Sequence, residues 1–301
     1  MSANTKNIFF LGKGGVGKST SSALTALYLS NLGKDVLLVS MDPAHNQSDI
    51  FEIQLSEKPV KLKDNLIAKE IDINFWIKKY LNDVESQIKH SYSYLTALNL
   101  ENYFGIIKYS PGIEEYALIS AYNEITESFQ EKDYIIFDMP PTALTLKFFG
   151  LPKLSLLWLD KLLDLRNEII KKREIITKVK FGTKEIERDK IINKLNKQIS
   201  SYEKIKKEFE DKDKTKINLV LNPDKLSFSE SGLIVKKLRE FDLYIGNIIV
   251  NKYFPEFSVD QIEKNFNHTG MQLFPISEKP LLGINELQKY IGSVSFENYS
   301  I

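Results

Sequence analysis

The amino-acid sequence predicts an α/β protein built on a doubly wound, mostly parallel β-sheet. Short apolar runs alternate with longer helical patterns, and a glycine-rich loop follows the first run directly. Unbroken apolar runs of this length are typical of central parallel strands that helices cover on both faces. We expect at least about six strands in such a fold. The five clearest runs lie at 7–11, 35–40, 133–137, 216–221 and 247–250.

Helical patterns occupy much of the remaining chain, which we expect to form a single domain over residues 1–301. The first helix is predicted at about 18–32, where Gly33 ends it. Two further helical regions, at about 72–131 and 152–213, interrupt the alternation of strands and helices. We expect these two insertions to form a helical subdomain.

One face of the second insertion is apolar at helical spacing. The residues that recur at intervals of three and four are Leu154, Trp158, Leu162, Leu165 and Ile169. Such a face is explained either by packing against a second helix or by a groove that binds a hydrophobic partner. A matching apolar pattern at 191–209 supplies a second helix, and packing is the commoner explanation. We favour packing, and whether the insertions form a client groove or only pack stays open.

The composition excludes several classes of function. The chain contains no cysteine, so disulfides, thiolate zinc sites and iron–sulfur clusters are excluded, and no zinc site is expected. A net charge of +1 argues against a global field that attracts nucleic acid, and we expect no nucleic-acid partner. The first apolar run is too short for a signal peptide, and no stretch approaches the ~20 apolar residues that span a bilayer. We expect a cytoplasmic protein whose contact with a membrane, if any, is made through a partner or an exposed groove.

The glycine-rich loop has the spacing of a phosphate-binding loop, G-x-x-x-x-G-K-S. Glycines let successive backbone N–H groups turn toward phosphate oxygens, and the helix that follows directs its positive end at them. We expect Lys18 to reach the terminal phosphates of ATP and the Ser19 hydroxyl to ligand Mg²⁺. The loop residues expected to bind the nucleotide are Gly12, Lys13, Gly14, Gly15, Val16, Gly17, Lys18, Ser19 and Thr20.

Two aspartates follow buried runs and suit the remaining roles in phosphoryl transfer. Asp138 comes directly after DYIIF, where a Walker B carboxylate holds the magnesium shell. Asp42 follows VLLVS in the segment DPAHNQSD, where a carboxylate can orient or deprotonate the attacking water and help to hold the metal. Either residue could instead cap a turn, and for Asp42 we favour the catalytic role.

Three segments together resemble one family of ATPases: GKGGVGKST, DPAHNQSD and DMPPTALTLKFFGLP. They are similar to the arsenite-pump ATPases and to the related ATPases that target tail-anchored membrane proteins. That family has a DPAHSLSD-like switch I and a DTAPTGHTLR-F-LP switch II. The resemblance extends over most of the chain, including 111–115, 222–231 and 248–256.

The resemblance implies further site residues and a homodimer. A lysine at the position of Lys13 marks the deviant Walker A superfamily, in which it reaches across a homodimer interface to the other subunit's nucleotide. By position, the family's adenosine contacts fall on Asp224 and Asn251. An amide can pair with the adenine edge, and a carboxylate can accept from a ribose hydroxyl or from the base.

The chain also departs from the family pattern. Switch II reads Pro140-Pro141-Thr142-Ala143-Leu144 without the family's Gly-His pair, which stiffens a segment that changes conformation on hydrolysis. The metalloid-binding cysteines of the pump subunit and the zinc-binding CxxC pair of the targeting factors are both absent. A dimer must therefore rest on packing and on shared nucleotide.

We expect a Mg²⁺-dependent ATPase that hydrolyses ATP to ADP and phosphate and acts as a dimeric switch. Three biological outputs stay open. The first is targeting or chaperoning of hydrophobic, tail-anchored membrane proteins, and the second is driving a membrane transporter of the arsenite type. The third is a regulatory switch of the septum-site or plasmid-partition type, which VSFENYSI at the C-terminus disfavours because it is neither basic nor clearly amphipathic.

Overall fold

The fold is a single eight-stranded sheet covered by helices on both faces. The computed structural model describes residues 5–44, 46–91, 110–177, 189–260, 262, 266 and 270–296. The strands are β1 (Lys6–Leu11), β2 (Val36–Ser40), β3 (Val60–Lys63), β4 (Leu66–Glu70), β5 (Tyr134–Asp138), β6 (Thr215–Leu221), β7 (Asn247–Tyr253) and β8 (Gly270–Pro275). The strand order is β3-β4-β2-β5-β1-β6-β7-β8. Every neighbouring pair is parallel except β3 with β4, which form an antiparallel hairpin at one edge.

The helices follow the strands along the chain. They are α1 (Lys18–Asn31), α2 (Asn46–Phe51), α3 (Ile73–Ser91), α4 (Ile113–Ser128), α5 (Thr142–Thr177), α6 (Lys190–Glu210), α7 (Lys225–Glu240) and α8 (Gly283–Ser293). No helix among the described residues is both long enough and apolar enough to span a membrane. Parts of both predicted insertions, 92–109 and 178–188, lie outside the described residues.

Successive residues of β1 point to opposite faces of the sheet, which divides the core in two. Ile8 and Phe10 pack with α1, α2 and α8 on one face. Phe9 and Leu11 pack with α3 to α7 on the other face. Both faces of the central strands are therefore buried, as the unbroken apolar runs predict, and the doubly wound α/β prediction is confirmed.

An aromatic cluster fixes β1 and β5 against the helices of the second face. The rings of Phe9 and Phe137 stack with centroids 4.9 Å apart. Tyr122 of α4 lies between them and α6: its hydroxyl accepts from Asn7 Nδ2 at 3.1 Å and donates to Glu208 Oε2 at 3.2 Å. Burial, and next the Glu208 charge, raise the pKa of Tyr122. Because the hydroxyl is paired, this buried polar group adds to the fold rather than weakening it.

The predicted elements agree with the structure in type and differ in extent. The helix that carries the apolar face begins at Thr142, so Pro152 lies inside α5. β3, β4 and β8 are not predicted from the sequence, because these strands are short or only partly apolar. All three lie at or next to an edge of the sheet, where one-sided burial weakens the apolar pattern.

The expected packing of the apolar face was wrong for part of α5. Leu154, Trp158 and Leu165 are exposed, whereas Leu159 on the opposite side of the helix is buried. α5 packs on α6 through that opposite side. The apolar face therefore has no cover among the described residues.

Candidate functional site

The predicted site residues meet at one edge of the sheet, because parallel strands present their carboxyl ends on the same side. The phosphate loop follows β1, and Asp42 lies just beyond the end of β2. Asp138 is the last residue of β5, and Asp224 lies between β6 and α7. Asn251 lies near the end of β7.

The phosphate loop has a backbone that only glycine accommodates at two positions. A Cβ added at Gly12 would lie 2.2 Å from the carbonyl oxygen of Val220, at a φ of 153°. Gly17, at a φ of 92°, would place a Cβ 2.2 Å from Asn251 Nδ2. The loop is thus pressed against β6 and β7, and it leads into the N-terminus of α1, as a phosphate cradle requires.

The two lysines of the loop have different surroundings. Lys18 begins α1 and is buried, and its positive charge lowers the pKa of Asp138. Lys13 is half-buried beside the exposed Gly14 and Gly15. Lys18 therefore lies in the interior of the site, and Lys13 lies where the loop meets the surface.

Asp138 is a fully buried carboxylate at the centre of the site. Burial raises its pKa to about 6; the nearby Ser19 hydroxyl, the Gln47 amide and Lys18 lower it, and the Asp42 charge raises it. Oδ2 accepts a hydrogen bond from Gln47, whereas no described residue hydrogen-bonds to Oδ1. A buried carboxylate oxygen without a partner is costly, and it calls for a ligand.

The donor set fits Mg²⁺. Asp138 supplies the unpaired Oδ1, and the Ser19 hydroxyl and the Asp42 carboxylate both lie near enough to shift its pKa. Mg²⁺ usually binds through one or two carboxylates and is completed by water and substrate phosphates. The described residues contain no group of three or more His, Asp or Glu side chains that could hold a metal without such help. ATP and Mg²⁺ would therefore bind together.

Asp42 is buried at the beginning of switch I, which we define as residues 42–49. Its Oδ1 accepts from the backbone N–H of Ala44 at 3.0 Å, which fixes the Asp-Pro turn. Asp42 therefore caps a turn and also lies beside Asp138, so its two interpretations from the sequence are compatible. A carboxylate held in this way is preorganised to orient water.

Gln47 is a site residue that the sequence analysis missed. It is fully buried in α2, and its Nε2 lies 3.0 Å from the carbonyl oxygen of Ser19, 2.9 Å from Ser22 Oγ and 3.0 Å from Asp138 Oδ2. The only available signal was a long polar side chain inside switch I. Its partners lie on α1 and β5, and no spacing along the chain predicts them.

Switch II, residues 138–145, connects the loop to two helices. Thr142 Oγ1 lies 3.3 Å from the carbonyl oxygen of Gly12 and 3.1 Å from Glu230 Oε1 on α7. Thr145 Oγ1 donates to the carbonyl oxygen of Pro140 at 2.6 Å and closes the first turn of α5. The beginning of α5 is therefore attached to the phosphate loop.

The two residues expected to contact adenosine have structural partners of their own. Asn251 Nδ2 donates to the carbonyl oxygen of Val16 at 2.8 Å, so Asn251 supports the phosphate loop. Asp224 is the N-cap of α7, where its Oδ1 accepts from the N–H of Ser227 at 2.8 Å. Both lie at the edge where the nucleotide would bind, and their contact with adenosine stays a prediction.

The chain is similar to known ATPases over most of its length. The model of the anion-transporting ATPase family matches residues 5–293. An Aquifex aeolicus protein named "Putative arsenical pump-driving ATPase 2" is 34% identical over 85% of this chain and 83% of its own length. An ATPase ASNA1 homologue of Paramecium tetraurelia is 30% identical over 95% of this chain and 92% of its own length. ATPase GET3C of Arabidopsis thaliana is 31% identical over 86% of this chain and 70% of its own length.

The family model covers nearly the whole chain, and relatives of at least 30% identity that are named ATPases match most of it. The chain therefore belongs to the anion-transporting ATPase family and is an ATPase.

Proposed function

We propose that this ATPase is a Mg²⁺-dependent, homodimeric switch that binds hydrophobic segments of tail-anchored membrane proteins. The reaction is ATP and water to ADP and phosphate. ATP would close the dimer and hydrolysis would open it. ASNA1 and GET3 relatives in three eukaryotes, at 29–31% identity, support the assignment to this branch of the family.

The observation that carries the proposal is an exposed apolar face on α5. It consists of Leu154, Leu157, Trp158, Leu165, Ile169 and Ile175. At 3.6 residues per turn these six side chains fall within an arc of about 120° of the helix. Large apolar side chains that recur along one exposed side of a helix mark an interaction site. A second amphipathic or hydrophobic helix is the partner that such a face accommodates.

The same helix begins at the nucleotide site. Thr142 is the first residue of α5 and contacts both the phosphate loop and α7. A change at switch II therefore acts directly on the helix that carries the apolar face. This continuity supports coupling between nucleotide state and partner binding.

The chain's own residues divide the work of hydrolysis among them. Lys18 and the backbone N–H groups of the loop would hold the phosphates, and Asp42 would orient the attacking water. Ser19, Asp42 and Asp138 would hold Mg²⁺, which supplies positive charge against the phosphate oxygens. Lys13, at the surface of the loop, would reach the nucleotide of the second subunit.

The binding of a hydrophobic segment is tested by capture in solution. ATP-loaded protein is mixed with a tail-anchored protein in detergent, the detergent is removed, and the soluble complex is quantified. We expect the wild type to keep the client soluble and Leu157→Glu to lose most of that capacity, because the charge lies in the apolar face. ATP hydrolysis without client should change little. Sedimentation of the ATP-loaded protein measures the dimer in the same samples.

The matched control is Leu233→Glu, which makes the same change at an exposed leucine of α7 outside the α5 face. It should capture client as well as the wild type does. Equal capture by both variants and the wild type would show that the α5 face does not bind the client. Failure of the wild type to keep any client soluble would reject the targeting role altogether.

A pump-driving role is the second candidate, and the name of the Aquifex relative favours it. Such a subunit would copurify with an integral membrane protein, and its ATP hydrolysis would rise in that complex. Activation through metalloid–thiolate bonds is excluded in this chain because it has no cysteine. Purification from membranes therefore distinguishes the two candidates.

A further inference from the structure

Gln47 occupies a position that the proposed mechanism has not used. Its side chain is fully buried between α1, α2 and β5. All three of its hydrogen-bond acceptors belong to the site: the carbonyl oxygen of Ser19, the hydroxyl of Ser22 and the carboxylate of Asp138. No other described side chain joins switch I to the phosphate-loop helix and to Asp138 at once.

The chemistry of the contacts fixes the direction of the amide. Asp138 and the Ser19 carbonyl can only accept, so the nitrogen of Gln47 must face them. Ser22 Oγ donates to the Ser19 carbonyl at 2.9 Å and therefore accepts from Gln47. Nε2 carries two hydrogens for these three acceptors, and its bond to Asp138 is charge-assisted and therefore the strongest.

That bond also decides which oxygen of Asp138 is available. Gln47 engages Oδ2, and Oδ1 stays buried without a described hydrogen-bond partner. A carboxylate with one oxygen held and one unpaired has a fixed orientation about its last torsion angle. The Gln47 amide thus determines that Oδ1 is the Asp138 oxygen that would face the metal shell.

Ser48, the residue after Gln47, is hydrogen-bonded to β4, on the side of α2 away from Asp138. The backbone N–H and the hydroxyl of Ser48 donate to the two carboxylate oxygens of Glu70, at 2.9 and 2.7 Å. α2 is therefore fixed to β4 on one side and to Asp138 on the other. Because Gln47 and Asp42 belong to the same short segment, a displacement of switch I would break the Gln47–Asp138 bond.

We propose that Gln47 is a positioning residue that orients the Asp138 carboxylate for Mg²⁺ and makes that orientation depend on switch I. The DPAHSLSD pattern has leucine at this position, and a leucine side chain cannot donate to Asp138. This chain thus holds Asp138 by a bond that the pattern lacks. The proposal rests on the proposed Mg²⁺ dependence.

The test measures how much Mg²⁺ improves nucleotide affinity. The dissociation constant of a fluorescent ATP analogue is determined with excess Mg²⁺ and with EDTA, and the ratio of the two constants is compared between proteins. We expect Gln47→Leu to reduce this ratio about tenfold, the usual effect of losing a hydrogen bond to a charged group. The affinity in EDTA should stay within about twofold of the wild type. Gln47→Met is the second variant, because its flexible side chain fills the same space without donating.

The matched control is Gln272→Leu. Gln272 is a buried glutamine on β8 whose Nε2 donates to the carbonyl oxygens of Leu273 and Ser295, outside the site. It should lower thermal stability and leave the Mg²⁺ ratio unchanged. An unchanged ratio in Gln47→Leu or Gln47→Met would overturn the positioning role. A wild type whose affinity does not respond to Mg²⁺ would instead reject the metal dependence on which the proposal rests.

Discussion

At the carboxyl edge of the sheet the important side chains are polar, buried and bonded to one another, whereas along the outer face of α5 they are apolar and exposed. Gln47, Asp138 and Lys18 are all at most 6% exposed, and Trp158 is 66% exposed. The two regions are parts of one connected structure, because α5 begins at Thr142 beside the phosphate loop.

The difference shows which interactions one chain completes by itself. At the nucleotide edge many polar groups are paired within the chain, and the buried oxygens without a described partner include Asp138 Oδ1, a carboxylate oxygen that suits a small ligand. On α5 six large apolar side chains have no cover among the described residues. The first region is thus formed by one chain, and the second is where we propose that a macromolecular partner binds.

The largest effect is expected at the nucleotide edge, from Lys18→Ala. Lys18 is buried beside the phosphate cradle, so its loss removes a charge-assisted contact to the terminal phosphates. We expect ATP affinity to fall by about a hundredfold, measured by calorimetry. Lys34→Ala, an exposed lysine beyond the other end of α1, is the control and should bind normally. Near-normal ATP affinity in Lys18→Ala would show that Lys18 does not bind the phosphates.

Asp42→Asn should separate binding from turnover. Asparagine keeps the Oδ1 acceptor that fixes the turn at Ala44, so the fold of switch I is preserved. It cannot take a proton from water, and we expect kcat to fall by on the order of a hundredfold while ATP affinity stays close to normal. Asp49→Asn, at an exposed aspartate of the same switch, controls for the loss of charge. An unchanged rate of phosphate release in Asp42→Asn would show that Asp42 takes no part in hydrolysis.

Two neighbouring residues of α5 test the contrast between its faces. Leu159 is 7% exposed and Trp158 is 66% exposed. Leu159→Ala should lower the free energy of unfolding by about 2–3 kcal/mol, since it leaves a cavity. Trp158→Ala should change it by no more than about 0.5 kcal/mol. Urea unfolding of both variants measures these changes. A large loss of unfolding free energy in Trp158→Ala would mean that the α5 face is covered within the chain.

The smallest expected effect is on the stability contributed by the ion pair between Arg166 of α5 and Asp189 at the start of α6. Burial raises the pKa of Asp189, but hydrogen bonds from Arg166 of α5 and from the N–H groups of Ile192 and Ile191 outweigh it, so the pKa lies below its usual value. Arg166 Nη2 and Asp189 Oδ2 are 2.7 Å apart. The ionised carboxylate therefore stabilises the fold above the unfolded-state pKa of about 4, and this contribution is lost as the pH falls through the folded-state pKa.

Asp189→Asn keeps a cap for α6 and removes the charge. We expect a loss of less than about 1 kcal/mol at pH 7, and we expect the difference from the wild type to narrow through the acid range. Unfolding curves at a series of pH values measure it. If the difference in unfolding free energy between Asp189→Asn and the wild type stays constant as the pH is lowered, the effect comes from helix capping alone.

The five central strands and the phosphate loop could be predicted from the sequence because their causes are local. Apolar runs fix buried strands, and the glycine spacing at Gly12 and Gly17 follows from close backbone approach. Asp42 and Asp138 could be placed because each directly follows such a run. These features depend on few residues, and those residues are near one another along the chain.

The remaining features depend on packing between distant segments. Gln47 gains its role only when α1, α2 and β5 come together, and Asn251 supports a loop far from it in sequence. The exposed face of α5 could not be predicted either, because helical spacing marks an apolar face without saying whether anything covers it. For this face the commoner explanation, packing, was wrong.

The length of α5 has a mechanical consequence. A continuous helix of 36 residues is about 54 Å long, and its first turn is fixed beside the phosphate loop through Thr142 and Thr145. A tilt of about 5° at that end moves the far end by about 5 Å, roughly the width of one side-chain row. A helix of this length that moves as one rigid body would act as a lever arm: an adjustment of a few tenths of an ångström around a phosphate group would become, along its length, a displacement large enough to open or close a binding surface.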